Sequence, residues 1–282
     1  MTLLLKINTA ESLVLQAHSK QDYAFSGISS ENTFQYVGVA DGHGKYINAL
    51  YPTTILKKID WASFLTQKDY FSEIIKKCSV FKTNGVGSTL SICKIYLDRF
   101  EFSWVGDSTG KLYKNGKCIF KTNDHDRNNK EENKRLSENP NVDIETHRTG
   151  GALITDTEVK NSTTIQIINA KIYDFHNKNR INFTHSLGHG GITGSHFSTI
   201  TVPREENESY KVICATDGLW GMVCDDDEAF LGSSKTSCLD IVKFANKRWR
   251  QEWNLDNGVS VVKGCKFPDH NIDDIGVSTW TC

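Results

Sequence analysis

The feature that most constrains this chain is a short apolar strand that ends in an acid. Residues 34–40 form an apolar run typical of a buried strand, and Asp41, Gly42, His43 and Gly44 follow it directly. The two glycines let the backbone turn sharply there and approach a ligand closely. An acid and a proton donor on one tight turn predict the edge of an active site.

The same arrangement recurs along the sequence. Strand-like runs end in an Asp beside a Gly at Asp107 and Asp217, and Asp273 and Asp274 precede the last strand. In an antiparallel sheet one strand's C-terminal end lies beside its neighbour's start, so Asp41, Asp217 and Asp273 are predicted to meet at one edge. Carboxylates brought together repel one another unless a cation neutralises them, and an all-oxygen site suits Mg²⁺ or Mn²⁺. The alternative is that each Asp-Gly pair is an ordinary turn.

Composition narrows the class of protein. The 282 residues carry 33 Lys and Arg against 34 Asp and Glu, which argues against a nucleic-acid or membrane-surface partner. The eight cysteines form no Cys-x-x-Cys pair, several lie in apolar runs, and buried free thiols are expected. No signal peptide and no apolar run of about 20 residues is seen. We expect a cytoplasmic protein, with the nucleus left open, and a monomer.

Periodicity predicts mixed secondary structure. The spacing of apolar residues predicts a helix broken at Pro52, an amphipathic helix over 70–78 and another helix over 239–249. The polar residues of 128–139 are interpreted as an exposed helix. Asn115 and Gly116 predict a hairpin turn. Residues 140–200 are interpreted as an irregular flap without a core of its own, with weak strands near 164–168, 181–184 and 197–202. Further strands are predicted at 3–8, 11–17, 22–28, 33–40, 89–97, 99–105, 210–215 and 275–280.

Taken together, the motifs resemble the metal-dependent protein Ser/Thr phosphatases, the type 2C or PPM family. The matching segments occur in the family's order over most of the chain: Asp-Gly-His-Gly at 41–44, Gly-Ser-Thr at 87–89, Val-Gly-Asp-Ser at 105–108, Asn-Asp-His at 123–125, Glu-Glu-Asn-Lys-Arg-Leu at 131–136, Ala-Thr-Asp-Gly-Leu-Trp at 215–220, and Asp-Asp-Ile-Gly-Val at 273–277.

The resemblance implies an α+β fold, a four-layer α/β/β/α sandwich of two antiparallel sheets flanked by helices. It implies a single PPM-type domain over 1–282, with the flap or insertion at approximately 140–200, beside the site.

The resemblance also implies roles for single residues. Asp41 would bridge two Mn²⁺ or Mg²⁺ ions, the Gly42 carbonyl would bind one of them, and Asp217 and Asp273 the other. Asp22 corresponds to an outer acid, and Asp107 to a ligand of a weaker third ion. The two ions would lower the pKa of a shared water that attacks phosphoserine or phosphothreonine in line, and His43 would protonate the leaving oxygen.

Several positions depart from the family pattern. The Arg that usually holds the phosphate is absent from residues 15–22, which leaves His18 or Lys20 as its substitutes, without the planar guanidinium fork. At two positions the usual Glu and Arg are replaced, by Gln21 and His185 respectively. At two others the usual Asp is replaced, by His189 and by Gly221.

Two other functions compete with a phosphatase. The departures favour a catalytically weak or dead domain that binds phosphoproteins or another partner, whereas the intact acids and His43 favour activity. A zinc hydrolase would use His185, His189 and His196, but Ser186 stands where its catalytic Glu should be and nearby glycines break the helix.

Overall fold

A computed structural model describes residues 9–17, 19–44, 53–79, 86–126, 128–138, 142–146, 155–169, 171–175, 179–181, 184–188 and 193–282. The helices among them are α1 (Thr53–Leu56), α2 (Trp61–Phe64), α3 (Tyr70–Cys78), α4 (Lys130–Ser137), α5 (Asp217–Trp220), α6 (Glu228–Gly232) and α7 (Cys238–Arg250), with short 3₁₀ turns at Asp225–Asp227 and Asp269–Asn271.

The strands, in chain order, are β1 (Thr9–Leu15), β2 (Tyr23–Ile28), β3 (Gln35–Ala40), β4 (Gly42–His43), β5 (Gly87–Ser88), β6 (Leu90–Ile95), β7 (Arg99–Val105), β8 (Thr109–Lys114), β9 (Lys117–Lys121), β10 (Val142–Thr146), β11 (Thr155–Asn161), β12 (Thr164–Asn169), β13 (Lys171–Phe175), β14 (Asn179–Ile181), β15 (Leu187–Gly188), β16 (Ser198–Pro203), β17 (Tyr210–Ala215), β18 (Trp253–Asp256), β19 (Val261–Cys265) and β20 (Ile275–Thr281).

Two five-stranded antiparallel sheets form the centre of the fold. One has the order β1-β20-β17-β8-β9 and the other the order β16-β7-β6-β3-β2. Their facing sides bury one apolar cluster that includes Val37, Phe100, Phe102, Val212 and Trp280. Alternate residues of each strand point away from this cluster, because successive side chains of a strand face opposite sides of the sheet.

Helices cover both outer faces. Helices α1, α2 and α3 pack on the β2–β16 sheet through Leu56, Phe64 and Ile74, and α5, α6 and α7 pack on the other sheet through Leu219, Leu231 and Ile241. Each outer cluster is separate from the one between the sheets. The architecture is therefore α/β/β/α, and the predicted fold class is confirmed.

Local signals explain where the predicted helices begin. Asp69 accepts a hydrogen bond from the backbone N–H of Ser72 and caps α3, and Ser237 caps α7 in a reciprocal capping box with Asp240. At the predicted hairpin turn, Asn115 and Gly116 both adopt positive φ between β8 and β9. Predicted strand 3–8 and residues 45–52 of the helix predicted to break at Pro52 lie outside the described residues.

Two of the weak strands predicted within residues 140–200, near 164–168 and 197–202, correspond to β12 and β16, and the one near 181–184 meets only the end of β14. The residues of this segment that the structure describes are more regular than predicted. They contain β10, β13 and β14 in one small sheet, while β11 and β12 join β18 and β19 in another. Strand β11 has a single apolar residue, Val159, and resembles a loop, whereas β10, Val-Asp-Ile-Glu-Thr, alternates in period two, a signal that the sequence analysis missed. At the end of the segment, β16 pairs with β7 in the central sheet.

The β11–β12 hairpin shares its core with the body of the protein. Val159 and Ile165 are buried in a cluster with Met222, Cys224 and Trp253. Strand β12 also pairs in parallel with β18. The hairpin is therefore held by apolar burial and a sheet ladder, on the side of the fold where α5 ends.

Among the described residues, no helix combines the length and apolar character needed to cross a membrane.

Candidate metal-dependent active site

Asp41 is held at the end of β3 by its own backbone. Its N–H donates to Thr89 Oγ1 at 2.9 Å, and its carbonyl accepts from the Thr89 N–H at 2.8 Å. Thr89 Oγ1 also lies 2.5 Å from Ser108 Oγ, next to Asp107. Thr89 therefore joins the two strand ends that carry Asp41 and Asp107, a role that the sequence analysis missed.

The next residue, Gly42, must be glycine for steric reasons. A Cβ there would lie 2.9 Å from the Gln21 carbonyl oxygen. Gln21 Nε2 in turn donates to the Gly44 carbonyl at 3.1 Å. Gln21, which replaces the Glu usual in the family pattern, thus supports the turn as a neutral hydrogen-bond donor.

Asp217 begins α5 immediately after β17. The following Gly218 is packed so closely on the last strand that a Cβ would lie 1.8 Å from the Asp274 carbonyl oxygen. Asp217 Oδ1 is buried and has no hydrogen-bond partner. A buried carboxylate oxygen without a donor is costly, and a cation is the partner that such an atom accepts best.

Asp22 lies behind the other acids and is 2% exposed. Its Oδ2 accepts from Thr216 Oγ1 at 2.7 Å, and Thr216 Oγ1 accepts from the Gly276 N–H at 2.9 Å. The neighbour of Asp217 therefore connects Asp22 to β20, which explains why a Thr precedes Asp217.

Asp273 and Asp274 have different roles. Asp273 is partly exposed beside Asp217, whereas Asp274 is 1% exposed and faces inward. Asp274 Oδ2 accepts from Ser19 Oγ at 2.5 Å and from the Gln21 N–H at 2.7 Å. Asp274 thus anchors the loop that leads to Asp22. The sequence placed both acids at the site without separating these roles.

Asp107 has two acidic neighbours that the sequence analysis did not assign. Asp107, Asp124 and Asp126 line one cleft together with Asp217 and Asp273. Asp124 accepts hydrogen bonds from Thr109 Oγ1 at 2.6 Å and from Thr122 Oγ1 at 2.8 Å. The alternation of acids at 124 and 126, after the hairpin, was the available signal.

The cleft that these acids line has a volume of about 600 Å³. Its far wall comes from the β11–β12 hairpin, from the end of α5 with the three residues after it, and from α7, and this wall is mostly apolar. The residues of that far side are Thr157, Glu158, Val159, Ile168, Trp220, Gly221, Met222, Val223 and Trp249.

Burial and mutual repulsion disfavour the ionised acids. Burial, with repulsion from Asp217 and Asp274, raises the pKa of Asp22 to about 7 in spite of the Thr216 hydrogen bond. Burial and repulsion from Asp217 raise the pKa of Asp273 to about 9. The pKa values of Asp41 and Asp107 are raised well above the usual range by the same two causes. These carboxylates are close enough to act on one another.

Among the residues that the structure describes, no three His, Cys, Asp or Glu side chains are arranged as a ready-made metal site. The donor set nevertheless fits a hard divalent cation. Asp217 Oδ1 is buried without a partner, and a cation would favour the ionised form of every acid in the cluster.

Comparison with known proteins identifies the family. The model of the protein phosphatase 2C family matches residues 6–230. The chain belongs to the protein phosphatase 2C family. Asp273 lies beyond the matched range, and the tertiary structure is what brings it beside Asp217. The family is one of protein Ser/Thr phosphatases, so phosphoproteins are its class of substrate.

Several solved structures share this fold. A C. elegans sex-determining protein has a TM-score of 0.61 at 15% identity, covering 97% of this chain and 64% of that one. A serine/threonine phosphatase of S. agalactiae has a TM-score of 0.58 at 17% identity, covering 96% and 98%. Serine-threonine phosphatase 2C of Toxoplasma gondii has a TM-score of 0.57 at 12% identity, covering 98% of this chain and 99% of that one. No curated protein sequence matches the chain.

In this phosphatase 2C, His43 lies on β4, directly after Asp41 and Gly42. Strand β4 pairs with β5, with His43 opposite Gly87. The side chain is partly exposed. The turn therefore keeps His43 two residues after Asp41 on a paired strand, and its role as proton donor stays a prediction.

The groups predicted to hold phosphate are only partly described. His18 lies outside the described residues, and Lys20 is exposed with a positive φ of 58°. Lys57, which the sequence analysis missed, follows α1 and lies over the Tyr23 ring, with its ammonium 6.0 Å from the ring centroid. Burial lowers the pKa of Lys57, and the charges of Asp22 and Asp274 oppose that shift.

His185 occupies the flap-side position where the family pattern has an Arg. Its Nε2 lies 3.3 Å from Glu132 Oε2, which also accepts from Arg135 at 2.7 Å. The His185 and His125 ring centroids are 4.8 Å apart. His196 is exposed, with its ring centroid 6.4 Å from that of His185, and His189 lies outside the described residues.

Proposed function

We propose that this chain is an active phosphatase that hydrolyses phosphoserine and phosphothreonine in proteins with the help of two Mn²⁺ or Mg²⁺ ions. The observation that carries the proposal is the cluster of Asp22, Asp41, Asp107, Asp217 and Asp273, in which a buried oxygen of Asp217 has no donor. Such a cluster opposes folding unless a cation neutralises it. A domain that only bound partners would have no need of it.

The resemblance to the family and the clustering of the acids support the following assignment of metal-holding residues. Asp41 and the Gly42 carbonyl would hold one ion, with Asp41 shared, and Asp217 and Asp273 the other. Asp22 would orient this set from behind through Thr216. Asp107, with Asp124 beside it, would hold a weaker third ion. When bound, the two ions supply activation of a water for attack on phosphorus.

The protein's own groups do the remaining work. His43 would donate a proton to the oxygen of the leaving Ser or Thr side chain, because an imidazole titrates near neutral pH. His18 and Lys20 would position the phosphate, and Lys57 adds positive charge near Asp22 and Asp274. The apolar far wall of the cleft would bind the substrate chain beside the phosphorylated residue.

The remaining attributes are proposals of the same kind. We propose a single domain over residues 1–282 with the approximately 140–200 insertion, a monomer, acting in the cytoplasm or nucleus and not on nucleic acid or membranes. Solved phosphatases that align over 96–98% of this chain support the single domain.

One observation favours the second candidate, a weak or inactive phosphatase-like domain that binds phosphoproteins. Among the described residues that line the cleft, Lys121 is the one Lys or Arg. Phosphate is usually held by a planar Arg fork in proteins of this kind, and a single Lys is a weaker anchor.

The deciding experiment measures phosphate release from a phosphothreonine peptide, with and without Mn²⁺, for the wild type and Asp217→Asn. We expect metal-dependent turnover that falls by at least about 100-fold in the variant. Asp269→Asn is the matched control, because its side chain is 96% exposed and does not line the cleft. Turnover without metal would contradict the metal mechanism, and metal binding without turnover would favour the binding domain.

A further inference from the structure

A second cavity lies on the outer face of the β2–β16 sheet. It has a volume of about 520 Å³ and lies between the sheet and the turn that joins α2 to α3. None of its lining residues belongs to the acidic cleft. A concavity of this size is within the range that small ligands occupy in proteins.

The floor of this cavity is built by neighbouring strands in register. Lys94 of β6 stands opposite Glu101 of β7, and Glu101 stands opposite Thr201 of β16. In the next row with the same orientation, Ser103 stands opposite Thr199. Since side chains two residues apart on a strand share one face, a charged row and a hydroxyl row lie side by side.

Lys94 is an unusual residue for a sheet interior. It is 8% exposed, and its ammonium donates to the Leu65 carbonyl at 2.9 Å. The ammonium also lies 4.2 Å from the Tyr70 ring centroid and 5.2 Å from that of Phe34. An ammonium has three N–H donors. The Leu65 carbonyl is a single oxygen acceptor, and the two ring faces attract the charge without taking the place of an oxygen acceptor.

No carboxylate neutralises this cation within the described residues. Glu101, directly across the ladder, instead pairs with Arg99 at 2.8 Å. Burial lowers the pKa of Lys94, opposed by the charge of Glu101. The charge is therefore desolvated and only partly compensated, a condition that a bound anion would relieve.

We propose that the Lys94 cavity is a binding site for a small organic carboxylate with a flat apolar body. The carboxylate would accept from the Lys94 ammonium, and the body would lie against Phe34, Tyr70, Phe71 and Tyr96. Ser103, Thr199 and Thr201 add hydroxyl groups to the lining, and that of Ser103 accepts from the Tyr70 hydroxyl at 3.3 Å.

The charges argue for a carboxylate over a phosphate. Two lysines, Lys68 and Lys94, and two glutamates, Glu31 and Glu101, line the cavity. Lys94 would balance a single negative charge, and the two glutamates would repel a dianion more strongly than a monoanion. Arg, whose planar fork matches phosphate, is not among the described residues that line this cavity.

The test titrates benzoate into the full chain and follows ¹⁵N–¹H NMR shifts. We expect saturable binding with a dissociation constant on the order of 1 mM, and shifts centred on the amides of Ser103, Thr199 and Thr201. Lys94→Met keeps the length and apolar contacts of the side chain, and it should weaken binding by at least about tenfold. Benzylamine, of the same shape and opposite charge, should not bind.

A second variant keeps the test valid if Lys94→Met unfolds. Thr199→Trp fills the cavity from an exposed position on β16 and should abolish the benzoate shifts while the thermal transition is retained. Lys263→Met, on exposed β19, is the control and should bind as the wild type does. Equal binding by Lys94→Met, binding of benzylamine, absence of saturation, or shifts centred on Asp41 and Asp217 would each overturn the proposal.

Discussion

Asp274 accepts a hydrogen bond at 2.7 Å from the backbone N–H of Gln21, 253 positions earlier in the chain. The same carboxylate binds Ser19. Through this contact the start of the last strand sets the position of the loop that ends at Asp22. The geometry of the acid cluster therefore depends on an acid that is not itself directed into the cleft.

Replacing that anchor should unfold the loop. We expect Asp274→Ala to lower the free energy of unfolding by about 2–4 kcal/mol, because it leaves buried N–H donors without a charged acceptor. Denaturant titration measures this. Asp256→Ala is the control: its carboxylate accepts from Gly258 N–H in an exposed turn, and its loss should cost under about 1 kcal/mol. Equal losses in the two variants would contradict the anchoring role.

The acid cluster should make the metal-free protein sensitive to pH. The pKa values of Asp22 and Asp273 rise from 3.8 when unfolded to about 7 and about 9 in the fold. Between pH 4 and 9 the folded protein thus holds more protons than the unfolded chain. The free energy of unfolding in EDTA should consequently fall as the pH rises through this range, and thermal melts at several pH values measure it.

Asp22→Asn tests the cause of that pH dependence. The amide oxygen can still accept from Thr216, while the charge is removed. At pH 8 without metal, we expect this variant to be more stable than the wild type by on the order of 1–3 kcal/mol, and less active with metal. Asp269→Asn should leave the pH profile unchanged. A wild type whose stability rises with pH over this range would be incompatible with the cluster described.

Two glycines give a steric test. Gly218→Ala would place a Cβ 1.8 Å from the Asp274 carbonyl oxygen, so we expect loss of phosphatase activity and a severe loss of stability or of soluble protein. Gly258→Ala has open space around the Cβ and a φ of +79°, so strain of about 1 kcal/mol is expected, with activity retained. Expression, thermal melts and activity compare the two. A stable, active Gly218→Ala enzyme would show that α5 does not pack on β20 as described.

The proton-donor role of His43 predicts a dependence on the leaving group. His43→Ala should slow hydrolysis of a phosphothreonine peptide by about 10²–10⁴-fold and an aryl phosphate much less, since a phenolate leaves without a proton. His270→Ala, at an exposed position, is the control. Equal losses for both substrates would remove His43 from that role.

Much of the architecture could be predicted from local patterns. Period-two alternation in 99–105 and the apolar run of 210–215 predicted β7 and β17, and Asn115-Gly116 predicted the hairpin. Strands β10, β11 and β13 were missed. Strand β11 has one apolar residue in seven and so resembles a loop, whereas the period-two alternation of β10, Val-Asp-Ile-Glu-Thr, was an available signal.

The sequence by itself determined which residue types end the strands: Asp41, Asp107 and Asp217, each beside a glycine that its backbone requires. Only the tertiary structure decided which of two adjacent acids faces the cleft, Asp273, and which anchors the loop, Asp274. It also decided that Thr89 and Thr216 hold the acids and that Lys94 lies buried without an ion pair. The physical reason is that strand propensity and turns act over a few residues, whereas these contacts join positions up to 255 apart whose encounter depends on sheet pairing.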